Sequence, residues 1–233
     1  MVAIAVIPAR GGSTRVPKKN IMEFFGKPMI AYTIEACLKS KKFSKVLVST
    51  DSEEIADISR KYGAEVPFLR NACADNMTPV SEAVLYSVKQ AEEYWGEKYD
   101  TIAMAMANCP IRNERDIANA FDNFITKNYK SQISCFKFGF MNPWWALKIN
   151  EKFEGKRVLD IPLNTRSQDL EDLYCPTGAI WLAQKKHLEK YKSFYGEHNY
   201  FEIDWKSAVD IDNYEDVELA KAVYYLINRE LNV

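Results

Sequence analysis

The sequence predicts an α/β protein, with three αβα layers around a mostly parallel central sheet and one small β-rich excursion. Strand-length apolar runs alternate with stretches of helical period through the first half of the chain. This is the pattern of strand-helix-strand units whose helices cover both faces of a parallel sheet. The first apolar run, Ala3-Ile4-Ala5-Val6-Ile7, passes straight into a glycine-bearing basic segment, as befits a sheet that gathers ligands at the carboxyl ends of its strands. A length of 233 residues with 47% hydrophobic content suffices for one large core, so residues 1–233 are read as a single domain.

After the strand at 3–7, Ile30, Ile34, Cys37 and Leu38 recur at helical spacing within 29–39, and 45–50 forms a strand ending at Asp51. A helix over 52–62 is closed by Gly63, and a short strand at 65–69 follows. A helix over 79–95, a strand at 101–106 and a helix within 111–127 complete the alternation. The strand ends carry Arg10, Asp51, Arg70 and Asn108. Beyond residue 130 the texture changes to aromatic-rich strands at 134–138, 145–149 and 179–183. The stretch at about 134–178 is therefore read as a β-rich excursion that caps the site or pairs with a second copy, making a homodimer the expected assembly. An amphipathic helix over 214–229 closes the core through Val217, Leu219, Ala220, Val223, Tyr224 and Ile227.

The loop after the first strand reads Pro8-Ala9-Arg10-Gly11-Gly12-Ser13-Thr14-Arg15-Val16-Pro17-Lys18-Lys19-Asn20. Two glycines without Cβ atoms let backbone N–H groups approach an anion, and Arg10, Arg15, Lys18 and Lys19 supply charge for a polyphosphate. Neither G-x-x-x-x-G-K-[ST] nor G-x-G-x-x-G is present. Pro17 and its polar followers delay the next helix to about Pro28, so charged side chains outweigh a helix dipole here. Four cations in ten residues repel one another unless an anion or acidic neighbours offset them, in a chain of net charge −1. That density favours a ligand over a plain solvated connection.

Near the other end, the segment Ala208-Val209-Asp210-Ile211-Asp212-Asn213 alternates, so that Asp210 and Asp212 share a face and Ile211 turns inward. Mg²⁺ takes hard oxygen ligands, commonly one or two carboxylates plus substrate phosphates, and Mn²⁺ is the alternative ion. Asp212 or Asn213 also suits a helix N-cap. The basic loop favours the metal reading, because the two features complement each other around a nucleoside triphosphate.

Ile7-Pro8-Ala9-Arg10-Gly11-Gly12-Ser13, Lys19-Asn20, Gly26-Lys27-Pro28-Met29, Ser49-Thr50-Asp51-Ser52, Pro110-Ile111-Arg112, Thr165-Arg166-Ser167-Gln168-Asp169-Leu170, Tyr174-Cys175-Pro176-Thr177-Gly178-Ala179-Ile180 and Asp210-Ile211-Asp212 stand in family order. With them, nearly the whole chain resembles the CMP-sialic acid synthetase (acylneuraminate cytidylyltransferase) family, including its pseudaminic and legionaminic acid branches. The resemblance implies a nucleotide-diphospho-sugar transferase-like fold. It implies transfer of CMP from CTP to the anomeric hydroxyl of a nonulosonic acid of sialic or legionaminic type, releasing pyrophosphate in a metal-dependent reaction.

Carried onto this chain, the resemblance makes Arg10 and Lys19 catalytic groups on the triphosphate, with Ala9, Gly11, Gly12, Ser13 and Arg15 also around the nucleotide. Asn20, Arg70, Thr78 and Ser81 would face the nucleotide's cytidine end. Asn108, Arg166 and Gln168 would face the sugar, Arg166 gripping its carboxylate, and Asp210 and Asp212 would hold Mg²⁺. Departures concern the sugar more than the reaction. Thr14 and Arg15 replace a lysine and glycine common in sialic acid enzymes, and Met106-Ala107-Asn108-Cys109-Pro110 lacks a glutamine expected near the sugar. Arg15 fits the pseudaminic branch, whereas 174–180 is closer to the sialic and legionaminic branches. Asn142-Pro143-Trp144-Trp145 either walls the sugar pocket or packs a dimer contact.

A pI near 6.2 with only local positive charge makes nucleic acid a poor partner. No apolar run reaches the roughly 20 residues of a membrane span, and residues 1–7 lack a leader pattern, so the expected compartment is the cytoplasm. Five scattered cysteines with no C-x-x-C pair suggest neither disulfides nor zinc. His187 and His198 receive no role, and no general base stands out. The alternatives are a pseudaminic acid or 3-deoxy-octulosonate cytidylyltransferase, and, in another class, a non-catalytic nucleotide-binding protein on the same fold. An aspartate-nucleophile phosphatase is disfavoured, because its acidic pair belongs after an early strand.

Overall fold

The computed structural model describes residues 2–13, 15–73, 77–139, 141–160 and 165–230. Through them run β1 (Ala3–Pro8), β2 (Glu23–Phe24), β3 (Lys27–Pro28), α1 (Met29–Ser40), β4 (Lys45–Ser49), α2 (Glu53–Lys61), α3 (Val80–Trp95) and β5 (Thr101–Met104). There follow α4 (Glu114–Thr126), β6 (Ser131–Lys137), β7 (Leu147–Ile149), β8 (Gly155–Arg157), β9 (Tyr174–Gln184), α5 (Lys185–Tyr191), β10 (Asn199–Glu202) and α6 (Tyr214–Glu230). The central sheet has the order β10-β6-β9-β5-β1-β4. Only β9 runs antiparallel to its neighbours, as the mostly parallel expectation requires.

The strand period divides the core into two faces. Ala5 and Ile7 of β1 join Ile30 and Ile34 of α1, Ile55 of α2 and Phe124 of α4 on one side. Ile4 and Val6 join Val84 and Val88 of α3 and Leu188 of α5 on the other. With both faces covered, β1 is apolar at every position from Ala3 to Ile7 and almost wholly buried. α6 closes a third cluster, packing Val217, Ala220 and Val223 on Phe24, Met29 and Ile211. On the α3 side, Glu92 is buried and accepts from Lys185 of α5 at 2.6 Å, from Lys98 at 3.1 Å and from the Tyr99 N–H at 3.2 Å. Burial alone raises its pKa, but these donors win and hold it below the ordinary carboxylate value.

Several boundaries differ from expectation for identifiable reasons. The strand expected at 65–69 contributes a single parallel bridge, Glu65 with Leu47, because Pro67 has no N–H for a ladder. Gly63, at φ +91°, makes the turn after α2 as expected. β6 begins at Ser131 rather than 134, since its polar start is buried and satisfied: Ser131 Oγ donates to the Phe194 carbonyl and Gln132 Nε2 to that of Ala120.

The 134–178 excursion is narrower than expected. β6 and β9 bound it, and they pair with each other inside the central sheet. Among the described residues of this stretch, the β structure outside that sheet is the β7–β8 hairpin, and Trp144 and Trp145 lie in a 3-10 turn, Pro143–Trp145, capped by Asn142.

Candidate active site

The carboxyl ends of β1 and β5, with the start of α3, open on a cleft of about 410 Å³. Arg10, Ser13, Arg15, Lys19, Asn20, Arg70, Thr78, Asn108 and Asp212 line it, so most of the expected site residues meet there. Thr14 lies outside the described residues.

The basic loop is held by the protein's own acids. Lys19 Nζ donates to Asp212 Oδ1 and Arg15 Nη2 to Asp212 Oδ2, both at 2.8 Å. Lys18 turns out of the cleft to grip both oxygens of Glu54 at 2.8 Å. The acidic neighbours demanded by the charge density are thus in place. Asn20 is buried and donates from Nδ2 to the Arg10 carbonyl at 3.0 Å, fixing the loop's entry.

The glycines do less for an anion than expected. The Gly11 N–H is taken by Asp51 Oδ1 at 2.8 Å, and the Ser13 N–H by the Gly11 carbonyl at 3.2 Å. A Cβ on Gly11 would fall 3.2 Å from Ser52 Cβ, so its requirement comes from packing against the cap of α2. A Cβ on Gly12 would meet nothing within 4 Å. Ala9 is buried and its N–H donates to the Ser49 carbonyl, which leaves it a structural place.

Asp212 does not cap α6. Asn213 does, its Oδ1 accepting from the Asp216 N–H at 3.0 Å while Asp216 Oδ2 accepts from the Asn213 and Asp212 N–H groups. The Asp212 carboxylate is left to face the cleft. Desolvation pushes its pKa up, but hydrogen bonds and charge from Lys19 and Arg15 more than reverse this and hold it below the ordinary value. Asp210 is held above the ordinary value, first by desolvation and then by the charge of Asp212. Ile211 between them is fully buried, as expected.

Asn108 clamps this acidic segment. Its carbonyl accepts from the Ile211 N–H and its Nδ2 donates to the Ile211 carbonyl, both at 2.9 Å. The Nδ2 donor is thus used within the protein, while the buried Oδ1 lacks a protein partner and the residue lines the cleft, so Asn108 has a clamping role beside its expected place at the sugar.

Arg70 is 5% exposed at the cleft wall, and desolvation lowers its pKa. Ser81 is buried, accepts the Phe194 N–H at 3.4 Å and is not among the residues lining the cleft. Arg166 and Gln168 are not at the cleft. They lie on an exposed 3-10 turn, where Arg166 pairs with Asp169 at 2.7 Å. Among the described residues the turn's hydrogen bonds are internal, and none comes from the sheet, which is why motif order did not predict its distance from the other residues.

Sequence reading missed Cys73, Val80, Ala83 and Met106 in the cleft wall. Val80 and Ala83 begin α3 directly after the Arg70 loop, and that adjacency was the available signal. Buried Arg112 was also missed as a strut. Its guanidinium bonds Thr33 Oγ1 at 2.6 Å and the Ala179 carbonyl, tying α1 to β9. Among the described residues no group of three or more His, Cys, Asp or Glu is arranged to hold a metal.

A family described as Cytidylyltransferase matches residues 4–230. A pseudaminic acid cytidylyltransferase from Campylobacter jejuni is 33% identical over 231 residues, 99% of each chain. A CMP-N,N'-diacetyllegionaminic acid synthase from Legionella pneumophila is 34% identical over 210 residues, 84% of each chain. Among solved structures, a CMP:2-keto-3-deoxy-manno-octonic acid synthetase complexed with CTP shares the fold, with a TM-score of 0.71 at 17% identity over 99% of this chain and 100% of that one. With cations and carboxylates meeting at the strand ends, and a family match over almost its full length, the chain belongs to the cytidylyltransferase family.

Proposed function

We propose that this chain transfers CMP from CTP to the anomeric hydroxyl of a nonulosonic acid of sialic or legionaminic type and releases pyrophosphate. The carrying observation is the meeting of Arg15 and Lys19 with Asp212 at one cleft, across 197 and 193 residues of sequence. Arg10 and Lys19 bind the triphosphate and offset the charge that grows on the leaving pyrophosphate. Arg15 assists by exchanging Asp212 for phosphate oxygen. Arg70 and Thr78 contact the nucleoside end.

Asp210 and Asp212 suit Mg²⁺, or Mn²⁺ in its place: both are hard oxygen donors, and a divalent ion would offset both the desolvation and, after it, the charge of Asp212 that raise Asp210. Such an ion, when bound, supplies charge neutralisation and Lewis-acid polarisation of the phosphate. Asn108 keeps the two carboxylates in place through Ile211.

A second copy of the chain is the proposed partner at the β7–β8 hairpin, supported by exposed Leu147, Ile149 and Phe153. A cytoplasmic setting fits the use of CTP, and no described helix is long and apolar enough to cross a membrane. A pseudaminic acid substrate is the second reading, favoured by the 33% identical relative aligned over 99% of both chains. The deciding assay is pyrophosphate release from CTP and Mg²⁺ with sialic, legionaminic, pseudaminic and 3-deoxy-octulosonic acids in turn. Turnover with none of them rejects the proposal, and the preferred acid chooses between the readings.

A further inference from the structure

Ser49, Arg70 and Ser87 are buried together behind the cleft wall, at 3%, 5% and 0% exposure. Arg70 Nη1 donates to Ser49 Oγ at 3.2 Å, and Ser49 Oγ lies 2.5 Å from Ser87 Oγ. Ser87 Oγ donates to the Ala83 carbonyl at 2.7 Å, one turn back in α3. A hydroxyl carries one proton. The Ser87 proton lies on Ala83, so the Ser49 proton points to Ser87 and the lone pair of Ser49 faces Arg70. The chain of bonds has a single direction, from guanidinium to helix.

Its ends are also fixed. The Arg70 N–H donates to the Thr50 carbonyl at 2.7 Å, and the Ser49 carbonyl accepts the N–H of Ala9 at the root of the basic loop. The Arg70 side chain lines the cleft with Nε lacking a partner, and among the described residues it makes no ion pair. A buried guanidinium held by one neutral acceptor takes its orientation from that acceptor.

We propose that Ser49 and Ser87 are positioning residues for Arg70, holding its remaining donors toward the nucleotide, so that CTP affinity depends on two hydroxyls that do not touch CTP. This rests on the reading of Arg70 as a nucleotide-binding group.

The test is calorimetric titration of CTP into the full chain with Mg²⁺ and no sugar acid, alongside thermal unfolding and the KM of the sugar acid. Losing a hydrogen bond to a buried charged group should weaken CTP about tenfold in Ser49→Ala and about threefold in Ser87→Ala. The sugar acid KM should stay near its starting value, and the unfolding temperature should fall by only a few degrees. Ser87→Ala combined with Arg70→Lys should be no worse than Arg70→Lys alone, because both act through one group. Ser87→Cys, which fills the same space with a weaker hydrogen-bonding group, should also weaken CTP.

Folded serine variants with unchanged CTP affinity, beside a weakened Arg70→Lys, overturn the relay but keep the role of Arg70. Equal losses for CTP and sugar acid, or additive effects in the double variant, overturn it as well. Unchanged affinity in Arg70→Lys removes the nucleotide role of Arg70 and the relay with it.

Discussion

In the half of the cleft built on β1 and β5, groups from opposite ends of the sequence meet at bonding distance, Arg15 with Asp212 and Lys19 with Asp212. In the region between β6 and β9, the two polar residues expected at the sugar stand on an exposed turn, where Arg166 is paired with its near neighbour Asp169. The difference is one of framing. A side chain at the end of a buried parallel strand inherits its position from the ladder and from core packing on both faces. A side chain on a solvent-facing 3-10 turn inherits almost nothing, since such turns are short and weakly bonded.

The contrast breaks most readily at the acids. Asp212→Asn should cut pyrophosphate release by on the order of 10²-fold or more, as expected for removal of a group stabilising transition-state charge, while thermal unfolding stays near the wild-type value. Undiminished turnover would remove Asp212 from the chemistry.

Glu92→Gln, far from the cleft, should instead destabilise the fold by about 2 kcal/mol at pH 7, the usual loss of hydrogen bonds to a buried charged group whose lysine partners reach solvent, with CTP affinity retained. The native pKa of Glu92 is depressed, so its contribution is complete above the unfolded pKa and is lost as pH falls through the folded value. Chemical denaturation should therefore show the gap closing in acid, and a gap that widens there would contradict the assignment.

Asn108→Ala removes one of the two bonds holding Ile211. It should lower turnover about tenfold, by loss of one buried hydrogen bond and the placement that it fixes, and should raise the Mg²⁺ requirement while leaving the sugar acid KM within twofold. A rise confined to the sugar acid KM would favour the direct role first expected of this residue over the clamp.

The smallest effect belongs to Arg166→Ala. An exposed pair contributes about 0–1 kcal/mol, so CTP affinity should stay within twofold by calorimetry. A large loss of CTP affinity would show that the two regions are joined in the working enzyme.

Much of the nucleotide half was legible because its signals are local. A strand-loop transition, a cation cluster and an Asp-x-Asp alternation each keep their meaning when read in isolation. Less legible were the places of residues that also have an internal partner. Gly11 packs on Ser52 and gives its N–H to Asp51, Ser81 accepts from Phe194, and Asn108 is taken by Ile211. Each is a contact across the sequence that no spacing rule encodes. The excursion was drawn too wide for a related reason. β9 reads as part of an aromatic β-rich stretch, yet it enters the central sheet antiparallel between β5 and β6, and strand order follows from long-range pairing.

Alone, the sequence determined the alternation of strands and helices, the basic loop after β1, the acidic pair before α6 and the family pattern that links them, because backbone periodicity and side-chain chemistry are properties of short segments. The tertiary structure decided which of those groups share a cleft. It gave Asn213 rather than Asp212 the cap of α6, placed Arg15 and Lys19 on Asp212 and buried Arg70 against a serine relay. It left Arg166 outside. Hydrogen-bond partners are chosen by what packing brings within about 3 Å, and that distance is set only once the whole sheet has assembled.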